Sequence, residues 1–346
     1  MSELEKLINL AKNAADKIRR HKFVRVISHN DADGLTSAGI MAHALLRAGI
    51  PFQLSIASKL DGGAVIEEVN RSISSGELVI FCDMGSGHPE LIKQVGADVV
   101  IIDHHQPVGQ SPPAKAVVNA HMVGIDGATD ISASGTCYLV ARELGTGNID
   151  LAGLAIAGAV GDRQLFRTAN AFILEEALKS GGVVSIRKGL KVGGDGNLAD
   201  VLAYSKEPFL DVTGFPEKAA EFLNQLGLSG NIEDLSEEET SKLASAVALK
   251  LVKQASPEAI EAVIGGEVFL LNRELVHNVY DFISILNTCG KQKVYGLALA
   301  LCLKDATILD EAFSLTKDHE KNLAIDIRKN VENIRKGGKP LVYQHG

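Results

Sequence analysis

Three short apolar runs of this chain each end in acid: residues 23–28 lead into His29-Asn30-Asp31-Ala32-Asp33-Gly34, residues 78–82 into Asp83, and residues 99–102 into Asp103-His104-His105. A further acid, Asp162, follows the apolar stretch 151–160 in Gly161-Asp162-Arg163. If the three runs are parallel strands, their C-terminal ends open on one crevice, where ligands bind and sequence-distant groups converge. Five carboxylates cannot share a crevice unneutralised, because like charges at short range force several to protonate. Cations resolve the conflict. Mixed Asp and His donors suit Mn²⁺ and also admit Fe, Co or Zn, whereas Mg²⁺ prefers oxygen alone. Two such ions about 3.5–4 Å apart, bridged by carboxylate, are a common arrangement for phosphate-ester hydrolysis, activating water and steadying the developing charge. Taken singly, each segment has a plainer reading, Asp33 as a helix N-cap and Asp103-His104-His105 as a polar loop. Their recurrence at successive strand ends is what points to metal.

The elements that must position these groups alternate. Leu4, Leu7, Ala11, Ala14, Ala15 and Ile18 recur at helical spacing and predict an amphipathic opening helix over 3–20. Strands are predicted at 23–28, 52–56, 78–82 and 99–102, and helices at 133–144, 151–160 and 172–179, the last closed by Gly181-Gly182. Short buried strands alternating with helices imply a parallel sheet covered on both faces. The Gly-rich stretch 188–215 marks a boundary near 190, and 217–262 reads as helical and acidic, with a capped start at Ser236-Glu237-Glu238-Glu239. Beyond it the pattern predicts a strand at 268–271, a helix at 279–287, a strand at 296–303 and a long helix carrying Leu323, Ile327, Val331 and Ile334. Residues 340–343 read as the start of another strand. The expected architecture is α/β in three parts: a parallel sheet flanked by helices over 1–190, a helical connector over 191–264, and a smaller α/β C-terminal domain over 265–346.

Composition narrows the function classes. With 346 residues, 46% hydrophobic and 23% charged, the chain has an ordinary globular profile. Its longest apolar stretch, 151–160, has ten residues, short of the ~20 a membrane helix needs, and Met1-Ser2-Glu3-Leu4-Glu5-Lys6 is unlike a signal peptide. A cytoplasmic protein without a membrane partner is expected. Cys82, Cys137, Cys289 and Cys302 form no Cys-x-x-Cys pair, so neither a disulfide framework nor a zinc knuckle is indicated. A net charge of −8 argues against coating nucleic acid by bulk electrostatics, and 5% aromatics without Trp argue against extensive base stacking. Gly85-Ser86-Gly87 is no nucleophile elbow, and the glycines at 193–196 lack the preceding strand and the Lys of a phosphate loop.

In order, His29-Asn30-Asp31-Ala32-Asp33-Gly34-Leu35, Asp83, Asp103-His104-His105 and Gly161-Asp162 resemble the four motifs of the DHH phosphoesterase superfamily. Within it the chain looks most like the archaeal RecJ-like nucleases, on Asn119-Ala120-His121, Gly124-Ile125-Asp126-Gly127, Ser134-Gly135-Thr136 and Leu286-Asn287-Thr288-Cys289-Gly290-Lys291. The resemblance implies metal ligation by Asp31, Asp33, Asp83, His104 and Asp162, with Asp83 bridging and His29 as a sixth ligand, although His29 stands closer to the acids than in the His-x-x-x-Asp-x-Asp of many relatives. It makes Asp103, His105 and Asp83 the catalytic group, Asp103 orienting a histidine and His105 binding the scissile phosphate or protonating the leaving oxygen, and Asn119, His121 and Arg163 further substrate contacts. The implied activity is exonucleolytic hydrolysis of single-stranded DNA or RNA, or of short oligonucleotides, with two Mn²⁺ for which Mg²⁺ or Co²⁺ can substitute, and the implied partner a helicase or replisome component. Alternatives are a pyrophosphatase or cyclic-dinucleotide phosphodiesterase of the same superfamily and, from another class, a non-catalytic replisome scaffold. One departure stands out: the Gly-Gly-Gly-His-like signature of the family's C-terminal DHHA1 domain is absent, Gly337-Gly338 reading instead as a helix end. The expected C-terminal domain is therefore incomplete, as in a chain cut from a longer protein.

Overall fold

The run 78–82 is buried at every position, as befits a central strand with helices on both faces. The structure, a computed structural model, describes residues 1–335 apart from 61–62, 75, 110–111, 206–207 and 253; the expected strand at 340–343 and the glycines at 337–338 lie outside the described residues. In chain order the first elements are α1 (Glu3–Ile18), β1 (Val24–His29), α2 (Ala32–Arg47), β2 (Phe52–Ala57), α3 (Ala64–Ser72), β3 (Leu78–Cys82), the single turn α4 (Pro89–Ile92), β4 (Asp98–Ile102), β5 (Ala116–Val118), α5 (Ala133–Leu144), α6 (Ala152–Gly161) and α7 (Thr168–Lys179). Then follow β6 (Val184–Lys188), α8 (Leu198–Tyr204), α9 (Pro216–Gln225), α10 (Glu237–Leu251), α11 (Pro257–Ile264), β7 (Glu267–Leu271), α12 (Val279–Lys291), α13 (Tyr295–Cys302) and α14 (Leu309–Arg335).

Five strands form a parallel sheet in the order β2-β1-β3-β4-β5. Ile27, Val79, Phe81, Val99 and Ile101 pack on one face with Leu60, Ile66 and Ile92, while Val26, Leu78, Ile80 and Val100 are buried on the other. Register matters most for function. Ser28 pairs with Cys82, Cys82 with Ile102 and Ile102 with Val118, so His29, Asp83, Asp103 and Asn119 leave four strands at one level. The strand order reverses between β1 and β3, and such a switch point is where open α/β sheets bind ligands.

The chain packs as two compact units, one of residues 1–185 with 271–277 and 282–312, the other of 186–270 with 278–281 and the chain from 313 onward. Residues 265–346, expected as one smaller domain, thus contribute to both. The predicted strand at 296–303 is instead the helix α13. Gly296-Leu297-Ala298-Leu299-Ala300-Leu301 alternates like a strand, but Leu and Ala are strong helix formers and no residue from 295 to 302 is β-branched. Its buried residues Ala298, Leu301 and Cys302 fall at helical spacing, and α13 packs on α2. In the second unit Leu198, Leu202, Leu223, Leu243 and Val247 build a separate core from α8, α9 and α10. Among the described residues no helix is long and apolar enough to cross a membrane.

Candidate metal centre

Asp83 follows β3 with φ 60, a left-handed backbone that Asp and Asn adopt more readily than other side-chain-bearing residues. That conformation lies at the level where β1 and β4 also end. His29 Nδ1 stands 2.9 Å from Asp31 Oδ2 and 3.5 Å from Asp83 Oδ2. His104 Nε2 lies 3.4 Å from Asp83 Oδ1, 3.4 Å from Asp162 Oδ2 and 3.8 Å from Asp33 Oδ2. All six residues expected as ligands therefore meet at one end of the sheet. The plainer reading of Asp33 as an N-cap does not hold, since the cap of α2 is Asp31, whose side chain accepts from Gly34 N–H. Asp33 instead accepts from Ala133 N–H at 2.7 Å and Ser134 N–H at 2.9 Å, buried donors of the first turn of α5 that have no partner within the helix.

Neighbouring backbone fixes the histidines. His104 Nδ1 donates to Gly127 O at 2.8 Å, which turns Nε2 toward the acids. Gln164, buried, donates to Gly127 O and Ile131 O and holds that carbonyl in place. Asp103 is buried and accepts from Ser86 N–H, His104 N–H and His105 Nδ1–H, the last at 2.8 Å.

Burial opposes charge throughout the cluster, and neighbours decide the outcome. Burial pulls His29 down, but its hydrogen bonds to Asp31 and Asp83 outweigh this and raise its pKa to about 10. For His104 burial is likewise outweighed, by its close contact with Asp83 and the charges of Asp33 and Asp83, giving about 11. Burial, then the charge of Asp83, lifts Asp33 to about 6; burial, then the charge of Asp33, lifts Asp162 to about 8. Asp31 and Asp103 go down despite burial, held by hydrogen bonds to His29 and His105. The His105 pKa rises, chiefly through its hydrogen bond to Asp103.

These residues fit divalent cations. Asp83 Oδ1 is buried and makes no well-formed hydrogen bond among the described residues, His104 Nε2 standing 3.4 Å away, a costly state for a carboxylate oxygen that a cation would relieve. Three ligand groups, His29-Asp31-Asp83, Asp83-His104-His105 and Asp33-His104-Asp162, each bring their donor atoms within 4.8 Å of one another. Asp83 and His104 belong to two groups each, the placement a bridging residue needs.

The residues expected to touch substrate divide. Arg163, exposed and with φ 55, follows Asp162 at the rim, and His121 is half-buried. Asn119 is fully buried and its polar atoms are taken up within the protein: it donates to Ser86 Oγ and His105 O and accepts from His121 N–H. Its place is to support the loop carrying His105. Two supports escape sequence reading, Gln164 and the end of α12, where Asn287 Oδ1 accepts from Ala32 N–H at 3.0 Å and Gly290 O accepts from Asn30 Nδ2. The only sequence signal for the latter is the family-like stretch 286–291. A Cβ on Gly290 would lie 1.8 Å from Asn30 O. Gly290→Ala is therefore expected to displace the Asp31–Asp33 loop, costing about 1–3 kcal/mol, with a lower melting temperature and weaker Mn²⁺ binding by calorimetry.

Comparison with known proteins agrees with this architecture. The N-terminal domain of the DHH family matches residues 23–159. An uncharacterized protein of Methanocaldococcus jannaschii is 31% identical, over 96% of this chain and 77% of its own length. The single-stranded-DNA-specific exonuclease RecJ of Bacillus subtilis is 27% identical over 73% of this chain, which spans only 34% of that protein. Among solved structures, a RecJ exonuclease bound to manganese superposes with a TM-score of 0.51 at 18% identity, covering 95% of this chain and 68% of that one. The CDC45 structure from Entamoeba histolytica gives 0.67 at 13% identity, covering 96% and 74%. At such identities the structural likeness shows a shared fold.

Proposed function

The chain belongs to the DHH family, and on that premise we propose that it is a phosphoesterase, an exonuclease that hydrolyses single-stranded DNA or RNA, or short oligonucleotides, with two Mn²⁺ that Mg²⁺ or Co²⁺ can replace. The observation that carries this reading is the orphaned, buried Oδ1 of Asp83 facing His104 and His105 at the switch point of the sheet. The choice of a single-stranded substrate draws support from the RecJ relative. A helicase or replisome component is the protein partner that goes with it.

Asp31, Asp33, Asp83, His104 and Asp162, with His29, would hold the cations. Bound there, they would supply an activated nucleophile and neutralise charge on the scissile phosphate. The chain's own groups do the rest. Asp103 fixes His105 through Nδ1 and leaves Nε2 on the opposite edge of a side chain that is 58% exposed, placed to meet a phosphate oxygen or give a proton to the leaving oxygen. Its raised pKa favours the protonated form that this needs. Arg163 offers a cation beside Asp162 for a flanking phosphate. His105→Ala is expected to lower kcat by about 10²–10³-fold, as loss of a general acid does, in a protein that still folds and whose melting temperature falls only as far as the loss of one hydrogen bond to buried Asp103 dictates, about 1–3 kcal/mol.

The direct test is cleavage of 5′- and 3′-end-labelled single-stranded DNA and RNA with Mn²⁺, Mg²⁺ or EDTA. Metal-dependent laddering is expected, and its direction gives the polarity. Intact oligonucleotides together with turnover of pyrophosphate or a cyclic dinucleotide would move the activity to those substrates. A second reading, a non-catalytic replisome scaffold, has the likeness to CDC45 in its favour and the full set of acids against it. Calorimetry with Mn²⁺ separates the two, since failure to bind favours the scaffold.

A further inference from the structure

The second unit contains a cavity of 440 Å³, in the range of small-ligand pockets, that none of the chemistry above uses. Its walls come from residues 209–215, α9, Lys250 on α10 and the C-terminal half of α14. The chain has only 11 Phe and 5 Tyr and no Trp, yet Phe209, Phe215 and Phe222 all line this one cavity. Cations gather on the rings. Lys218 Nζ lies 3.8 Å and Arg328 Cζ 4.4 Å from the Phe215 centroid, and Lys250 Nζ 4.4 Å from that of Phe222.

Of the three cations, Lys250 is neutralised by Asp211, at 2.8 and 2.9 Å from its two carboxylate oxygens. Lys218 and Arg328 form no ion pair among the described residues, although Glu221 and Glu332 also line the cavity. Arg328 donates Nη1–H to Gly214 O at 2.8 Å, while its buried Nε has no acceptor among the described residues. A guanidinium left partly unsatisfied at a cavity wall favours a ligand that brings acceptors to its accessible N–H groups. Arg and Lys converging beside aromatic rings suit an anion that carries a flat ring, because phosphate oxygens take the N–H donors and the base finds an apolar wall. Phe209, which no cation caps among the described residues, supplies that wall. An acidic peptide would satisfy the charge and leave the rings unused.

We propose that this cavity binds one nucleotide of a single-stranded DNA or RNA, its phosphate on Arg328 and Lys218 and its base against Phe209. The proposal rests on the nucleic-acid substrate inferred above and deepens it, giving the second unit a strand-gripping site of its own.

The test is fluorescence anisotropy of a phosphorothioate oligothymidylate, which resists hydrolysis, with the full chain in Mn²⁺. Lys218 is exposed, so Lys218→Glu keeps the fold. It is expected to weaken binding about tenfold and to lower the slope of log K against log salt by about 1 or more, the signature of a lost phosphate contact. Arg328→Lys keeps the charge and removes the Nε donor, and is expected to weaken binding by a smaller factor. Turnover of bis(p-nitrophenyl) phosphate, which needs only the metal centre, should be unchanged in Lys218→Glu. Wild-type affinity and salt slope in both variants would overturn the proposal. So would displacement of the oligothymidylate by polyglutamate but not by thymidine monophosphate, which would assign the cavity to acidic polypeptide. If the oligonucleotide binds with this dependence on Lys218 while no strand is cleaved, the exonuclease reading falls and the cavity stands.

Discussion

Asp83→Asn is expected to leave the fold intact and to lower Mn²⁺-dependent cleavage by at least ~10³-fold, a loss of about 4 kcal/mol of transition-state stabilisation. Asn is the informative replacement, because it accepts the left-handed backbone at φ 60 as Asp does, whereas Ala would add strain there. The substitution also keeps the side chain's volume in a position that is 3% exposed. What it removes is the negative charge shared by two of the three ligand groups, so both lose affinity for a cation at once. Single-turnover cleavage, a calorimetric Mn²⁺ titration and a thermal melt read the three quantities separately. Cleavage within tenfold of wild type by a folded Asp83→Asn protein would remove Asp83 from the bridging position and with it the two-ion reading.

The same residue shows why much of the centre is legible in the sequence. An apolar run followed at once by acid needs only parallel pairing to place the acid at the sheet edge, and the level strand ends deliver His29, Asp83, Asp103 and Asn119 together. What lies beyond the strand ends is set by tertiary packing and leaves no local mark. Asp31, not Asp33, caps α2, a choice fixed by where α5 presents its free N–H groups. Nor does the sequence show that Asn119 is buried and bonded to Ser86 and His105, which arrive from two other segments. β5 has three residues and α8 seven within a Gly-rich stretch, both too short for periodicity to register. The Leu-Ala alternation of α13 misleads in the opposite direction: a period of two with no β-branched residue carries little strand preference, and packing on α2 decides for helix.

Stripped of metal, the protein is expected to lose stability as pH rises above about 6, and Mn²⁺ to restore it increasingly over the same range. Asp33 at about 6 and Asp162 at about 8 lie above the ordinary carboxylate value of 3.8, so the folded chain holds these protons more tightly than the unfolded one. Their contribution is complete below the unfolded value and is lost as pH climbs to the folded ones, that of Asp33 already by about pH 6 and that of Asp162 by about 8, so the loss above pH 6 comes from Asp162 and the histidines. His29 and His104, at about 10 and 11 against 6.5, act in the same sense: their contribution is full below 6.5 and is lost as pH passes the raised values. Asp31 and Asp103, held below the usual range, oppose this only on the acid side, where their contribution fades as pH falls through their lowered values. Cations take the place of protons at such a site, so binding releases protons and strengthens with pH. At a free Mn²⁺ concentration one hundred times Kd, the stabilisation reaches about 2.7 kcal/mol. Thermal melts at pH 6, 7, 8 and 9 with EDTA and with Mn²⁺ check both halves. A metal-free melting temperature that holds or rises over this range, or a Mn²⁺ shift that does not grow with pH, would show that protons and cations do not compete for these carboxylates and histidines.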